Sequence, residues 1–465
     1  MVNSGNVPIN LSNSSNPFVY CTLLYLNMKN LLIIAYYFPP SGGPGVQRVL
    51  KHVKYLPEFG WNPIVLTVEN GNFPARDESL LKEIPDNCKV YRSRIFEPYD
   101  LYRMFMGKAK DSAIDVNVIR KDDQEITIKE KVAEFIRSTF FIPDARAYWR
   151  YSSKEVMEQI LMDHDIKAVY SSSPPYTCSI IARNIKRKTN LPWIAGFRDP
   201  WTGFISSPKR WFLPKAIDKA MEYSVFKEAD YVECAWQGII EDALDKYPDL
   251  NRNRFIHVPN GFDSNDFPVV KQVKNEKFTI TYTGSLYGRR NPSSFFAAIE
   301  SLISKNHLKA DDILLRFVGR FGNEVEEMFE QASFKSSIET ISYVPHSKSI
   351  EYLLLSDCLL LIVDESKESK NIVPGKVYEY IGVRKPLLAI APQDSDIAEL
   401  IRETKSGYVA HQSEVIKTAD ILLGYYKKWK DNKSLIEQND KEINKYERRN
   451  SAKRLSELLN AFAKS

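Results

Sequence analysis

Cysteine is sparse and unpatterned in this 465-residue chain. Its five cysteines (Cys21, Cys88, Cys178, Cys234 and Cys358) are scattered, odd in number and never spaced C-x-x-C. That gives no support to a disulfide framework or a zinc site and fits a reducing cytoplasm. The six histidines form neither H-x3-H nor H-E-x-x-H, so no metal is expected in the chemistry. Excess charge of one sign is lacking as well: 64 Lys and Arg face 59 Asp and Glu, for a net +5. This mild basicity is far from the concentrated stripe of a nucleic-acid binder, and it leaves anionic small molecules or an anionic membrane surface open as partners. An uninterrupted membrane-spanning run is missing too. The apolar stretch 18–38 carries Lys29 and Asn30 at its centre, where a spanning helix tolerates them worst. Met28 begins "MKNLLIIAYYFPP", which reads as a protein start followed by a buried strand. Residues 1–27 are expected to be a disordered extension or a misassigned start, with a short hydrophobic anchor as the alternative. Repeats and low-complexity tracts are absent.

What is present is a chain long enough for two domains of about 200 residues each, with 43% hydrophobic and 26% charged residues. From Met28 onward, β-rich apolar runs alternate with amphipathic helical stretches, the pattern of parallel sheets flanked by helices. Strands are expected at 31–37, 62–68, 167–173, 192–197, 231–235 and 254–259, with helices at 46–59, 154–163 and 176–188. The polar run "KQVKNEK" (271–277) reads as a linker, after which the pattern restarts. Strands then fall at 278–285, 313–320, 338–345, 358–363 and 385–392, with helices at 292–304, 323–331, 347–356, 375–382 and 394–404. The expected fold is therefore α/β, with one doubly wound domain at 28–268, a second at 278–430 and helices over 431–465. Open parallel sheets bind ligands beyond the carboxyl ends of their strands, so the two domains offer half-sites to one cleft.

Several loops at those strand ends could carry chemistry. "NIVPGKVYEY" (371–380) starts a helix after a buried strand and a polar loop. Pro374 in a first turn sacrifices no helical bond, Gly375 lets a group approach the backbone, and the N–H groups of Lys376 and Val377 offer an anion site. Lys376 adds a point charge, and Glu379 could accept from a ribose diol; a plain capped helix is the competing reading. "TYTGSLYGRRNP" (281–292) repeats the design with Arg289 and Arg290, which otherwise form a solvated surface pair. "YYFPPSGGPGVQR" (36–48) lacks G-x-G-x-x-G spacing and a G-K-[ST] ending, so Gly42 and Gly43 suit a loop shaping an acceptor or sugar pocket, or a tight turn. "GFRDPW" (196–201) ends a strand with Arg198 and Asp199. They could position a hydroxyl or stabilise developing charge, or pair to hold the loop.

Together these stretches, with "IPDARAYW" (142–149), "HVPNGFD" (257–263) and "YVPHSKSIEYLLLSD" (343–357), resemble the GT-B glycosyltransferases. The likeness is to family 4 and, within it, to bacterial surface-polysaccharide enzymes; the motifs run in the family's order over about 360 residues. The resemblance implies two Rossmann-like domains facing a cleft, a C-terminal helix crossing back to the first domain, and a nucleotide-diphosphate-sugar donor held mainly by the second. It also implies metal-independent hexosyl transfer with retention of configuration and no cofactor beyond the donor. Carried over by position, Glu379 matches the second glutamate of the E-x7-E motif, which holds the ribose. Arg290, with Arg289, matches the basic residue at the diphosphate. Asn371 stands where many members have the first glutamate of that motif, so Asn371 and Pro374 fall at the donor sugar. Arg198 and Asp199 stand where many members carry a histidine, and are the candidate catalytic residues.

The acceptor is weakly encoded. A glycan or lipid-linked sugar follows from the resemblance. The aromatic and basic mixtures at 101–110 and 206–219 read either as ordinary helix faces or as a peripheral contact with an anionic membrane, placing the protein in the cytoplasm or at the inner face of its membrane. Two alternatives are a catalytically silent sugar-nucleotide binding protein and a sugar-nucleotide epimerase or hydrolase of the same fold.

Overall fold

The computed structural model describes residues 28–73, 75–96, 128–203, 207–271, 274–288, 290–364 and 373–462. The first sheet consists of β1 (Lys29–Ala35), β2 (Trp61–Val68), β3 (Lys89–Ser93), β4 (Ile166–Ser173), β5 (Trp193–Phe197), β6 (Tyr231–Cys234) and β7 (Phe255–His257). The second contains β8 (Phe278–Thr283), β9 (Ile313–Val318), β10 (Ile338–Ile341), β11 (Cys358–Ile362), β12 (Leu387–Ile390) and β13 (Gly407–Ala410). Strand orders are β3-β2-β1-β4-β5-β6-β7 and β10-β9-β8-β11-β12-β13, with every pair parallel. In β1, Leu31 to Ile34 are all fully buried. A parallel strand covered by helices on both faces needs such a continuous apolar run. In each sheet the order reverses beside its first strand, between β1 and β4 and between β8 and β11. The crevice at such a switch point is where open α/β sheets take ligands.

The helices that matter below are α1 (Pro44–Tyr55), α2 (Ile128–Phe140), α3 (Thr177–Thr189), α4 (Phe212–Glu228), α5 (Ser293–Ser304), α6 (His346–Leu354), α7 (Gly375–Gly382) and α8 (Arg448–Phe462). The structure departs from the expected elements at several points. β3 and β13 went unread, being short strands at the sheet edges. The helix expected at 46–59 is α1 followed by a 3-10 turn at Leu56–Phe59, where Pro57 cannot continue the α-helical bonding.

The expected crossing back of the C-terminal helix is found. Leu455, Leu458 and Leu459 of α8 share a core with Val46, Val49, Leu50 and Val53 of α1. Each such side chain contributes about 1.5–3 kcal/mol by leaving water. Outgoing and returning segments also bond to each other: Phe262 N–H donates to the Tyr446 carbonyl (3.0 Å), and Arg448 N–H to the Phe262 carbonyl (2.7 Å). Beneath them lies Arg48 of α1, 2% exposed, paired with the fully buried Glu233 of β6. Arg48 also donates to the carbonyls of Val258 (2.7 Å) and Pro259 (3.3 Å).

Candidate active site

In the second domain, α7 begins at the carboxyl end of the sheet, after β11 and its loop. Pro374 is the residue capping the helix (φ −61°, ψ 142°) rather than a member of its first turn. Its carbonyl accepts from Val377 N–H at 3.0 Å. That corrects the expectation for Val377: its N–H is already engaged, while those of Gly375 and Lys376 have no acceptor among the described residues. An anion at this end would meet two N–H groups with the helix dipole behind them.

Lys376 turns toward β8. Its Nζ donates to Tyr282 Oη at 2.7 Å and to the Thr283 carbonyl at 3.3 Å, and stands 4.0 Å from the Tyr282 ring centroid. Gly284 makes room for it: at φ +119° it ends β8 in a conformation that favours glycine, and a Cβ there would lie 3.3 Å from the Lys376 ammonium. Burial, with the neighbouring Arg290 charge, holds Lys376 well below the ordinary lysine range, while Glu379 pulls the other way. Arg290 thus joins Lys376 and Glu379 in one electrostatic neighbourhood. Its N–H donates to the Tyr287 carbonyl (3.1 Å) in the turn before α5. Arg289 and Asn371 lie outside the described residues, as do residues 1–27 and the stretch 101–110.

Glu379 carries a partner that sequence reading missed. Its Oε1 lies 2.8 Å from Nε2 of His346, the first residue of α6. His346 sits in a quoted stretch, but nothing in the spacing couples it to a carboxylate 33 residues later.

In the first domain, Gly42 and Gly43 form the loop between β1 and α1. Gly42 N–H donates to the Ala75 carbonyl (2.8 Å), and Gly43 precedes α1 at φ +90°. Within this loop the tightest glycine is one that sequence reading passed over: a Cβ on Gly45 would collide with Nη1 of Arg198. Arg198, just beyond β5, donates to the Pro174 carbonyl and lies 5.7 Å from the Tyr37 ring centroid. The structure therefore joins the glycine loop and Arg198 into one half-site beyond β1, β4 and β5. Burial raises the neighbouring Asp199 carboxyl above its ordinary value, against the charge of Arg198. Behind the loop, Trp201 Nε1 donates to Asp218 (2.9 Å) and Thr202 Oγ1 to Glu222 (2.6 Å), both on α4, so Trp201 is a buried anchor of the loop.

The described residues contain one carboxylate cluster, Glu83, Asp263 and Asp266. Lys51 of α1 pairs with all three, so an ammonium already answers their charge. The four described cysteines are unpaired.

Residues 263–442, which include the Lys376, Arg290 and Glu379 cluster, match the family model described as glycosyl transferases group 1. That match lies within the second half of the chain and covers less than half of its length. No curated protein sequence matches the chain. Among solved structures, the chain is similar to Anabaena Alr3699/HepE in complex with UDP, at 10% identity and a TM-score of 0.55 over 93% of this chain and 100% of that one. It is likewise similar to WaaG, a glycosyltransferase involved in lipopolysaccharide biosynthesis, at 14% identity and a TM-score of 0.53 over 92% and 99%. Sucrose-phosphate synthase from Thermosynechococcus elongatus gives 10% identity and a TM-score of 0.56 over 94% and 100%. At such identities the likeness is one of fold, and the fold is GT-B.

Proposed function

We propose that the protein is a retaining, metal-independent hexosyltransferase that moves a sugar from a nucleotide-diphosphate donor to a glycan or lipid-linked acceptor in surface-polysaccharide synthesis. The observation that carries the proposal is the meeting of Lys376, Arg290 and Glu379 at the switch point of the second sheet, inside the group 1 domain. UDP bound to the Anabaena neighbour and the lipopolysaccharide role of WaaG are consistent with it.

In this reading the family 4 correspondence assigns Glu379 to the ribose, and Arg290 and Arg289 to the diphosphate. Lys376 and the N–H groups of Gly375 and Lys376 share that diphosphate, and Asn371 and Pro374 border the donor sugar. As the glycosidic bond loosens, the sugar becomes oxocarbenium-like and the departing phosphate gains negative charge. Preorganised positive groups hold that charge more strongly than they hold the intact donor, which lowers the barrier. A departing diphosphate also favours the protonated form of Lys376, opposing the burial that depresses it. Arg198 and Asp199 face the acceptor side, with Gly42 and Gly43 shaping the loop beside them.

A peripheral contact with an anionic bilayer at the inner face of the cytoplasmic membrane completes the reading. On α2, Val132, Phe135, Ile136 and Phe140 are exposed at one helical face. On and before α4, so are Trp211, Phe212, Leu213 and Ile217, and Trp211 Nε1 reaches Thr139 of α2 at 2.9 Å. The exposed Lys209, Lys215 and Lys219 adjoin them, the mixture that suits lipid headgroups over a shallow apolar layer. No described helix is long and apolar enough to cross a membrane.

Incubation with UDP-, GDP- and dTDP-sugars, with and without lipid-linked acceptors, tests the function. Acceptor-dependent release of the nucleotide is expected. Acceptor-independent hydrolysis, interconversion of sugars, or binding without turnover would each point to one of the alternatives instead. Arg290→Ala is expected to lower kcat/KM about 100-fold.

A further inference from the structure

The His346–Glu379 pair is unexplained by the proposed chemistry, although it touches the residue assigned to the ribose. The two side chains come from different helices, α6 and α7, and both are part-buried, 27% and 23% exposed. Pro345 caps α6 immediately before the histidine, so His346 extends from a constrained helix start. Its Nε2 meets Glu379 Oε1 at 2.8 Å, which leaves Oε2 for a diol. A carboxylate offers about four lone-pair sites, so one histidine contact and two hydroxyl contacts are compatible.

We propose that His346 is a positioning residue of the donor site: it fixes the Glu379 carboxylate for the ribose and, when protonated, cancels that carboxylate's repulsion of the diphosphate. The inference rests on the donor reading above. Charged groups from four segments act on the pair. Asp266 from the crossover and Lys51 from α1 act on His346, with opposite effects. Arg448 from α8 and Lys376 on α7 itself act on Glu379. Burial opposes the imidazolium, but the hydrogen bond and charge of Glu379 outweigh it, so His346 protonates above its ordinary value. Raising the pH through that titration removes one positive charge from the ribose end of the site. Nucleotide affinity should then fall.

The test is calorimetric titration of the full chain with UDP, GDP and dTDP, following the tightest binder from pH 6 to pH 8.5. Wild type is expected to lose about tenfold in affinity across that range, the size of one charge-assisted hydrogen bond. His346→Gln keeps a donor within reach of Glu379 but cannot titrate. It should match wild type at pH 8.5 within about twofold and show a flatter profile below. His346→Ala should bind more weakly than wild type at both ends, and the Gln variant should rescue it at high pH. A Gln variant with the full wild-type slope, or an Ala variant that binds like wild type, overturns the inference. Glu379→Ala separates the two failures: if it weakens binding while His346→Ala does not, only the role of His346 falls. If wild type binds none of the three nucleotides, or if Glu379→Ala binds as wild type does, the donor reading falls and takes this inference with it.

Discussion

An amine packed against the Tyr282 ring and beside Arg290 is costly to keep protonated, and Lys376 shows the cost as a depressed proton affinity. Its folded value lies below its unfolded one. Between the two, the unfolded chain binds more protons, so stability rises with pH across that window. Below the folded value the penalty is present in full; above the ordinary lysine value it is gone. Lys376→Met should therefore raise the melting temperature of the nucleotide-free protein near pH 7, and the gain should shrink as pH climbs toward ten. The same substitution should weaken nucleotide binding about tenfold or more, a stability gain at the expense of function. A lower melting temperature at neutral pH would contradict this account. At this scale the sequence was partly legible. Pro374, Gly375 and Lys376 mark a helix start by local rules, so their place was readable. The acceptor of Val377 N–H, the Pro374 carbonyl three residues back, follows once Pro374 is placed as the cap; the partner of Glu379 depends on which groups tertiary packing brings within 3 Å, and no local rule reaches it.

At the scale of elements, α1 is the helix on which most constraints converge. Its apolar residues from Val46 to Val53 share a core with the first sheet and with α8, and Arg48 spans from it to β6 and the crossover. Removing one partner of a buried ion pair leaves the other charged without compensation, at about 3–5 kcal/mol. Arg48→Leu should cost that much in urea unfolding. Replacing Glu233 by leucine as well should recover most of it, because the stranded carboxylate is gone. If the double variant is no more stable than the single one, the loss lies in the carbonyl contacts at Val258 and Pro259. The strands legible in advance, such as β1 and β11, are those whose apolar residues run unbroken because helices cover both faces. β3, with the sequence "KVYRS" and only Ser93 buried, and the four-residue β13 are half-exposed at edges. Their pattern carries no comparable signal, and only pairing with β2 and β12 makes them strands.

For the whole molecule, the organisation follows from two switch points and two chain crossings. Alternating strands and helices made the doubly wound sheets readable, and the polar run at 271–277 marked where the pattern restarts. The bonding between the crossings at Phe262 and at Tyr446 to Arg448 was not, since it joins backbone groups some 180 residues apart in sequence. Deleting residues 448–462 should uncover the apolar face of α1 and leave Trp61 without the Asn460 contact (3.3 Å). The expected result is a blue-to-red shift of tryptophan emission, dye binding to exposed apolar surface and loss of nucleotide turnover. A truncated chain that stays monomeric and active would show that α8 is dispensable.

Because α8 closes the surface of α1, both sheets must be translated, and α8 after them, before the domain of the first sheet can finish folding. A nascent chain paused after the second sheet holds a nearly complete nucleotide-binding half, yet its earlier half still presents a bare groove where Leu455, Leu458 and Leu459 will dock. Chaperone dependence during synthesis should accordingly trace to the first sheet's domain while being relieved only by the translation of α8.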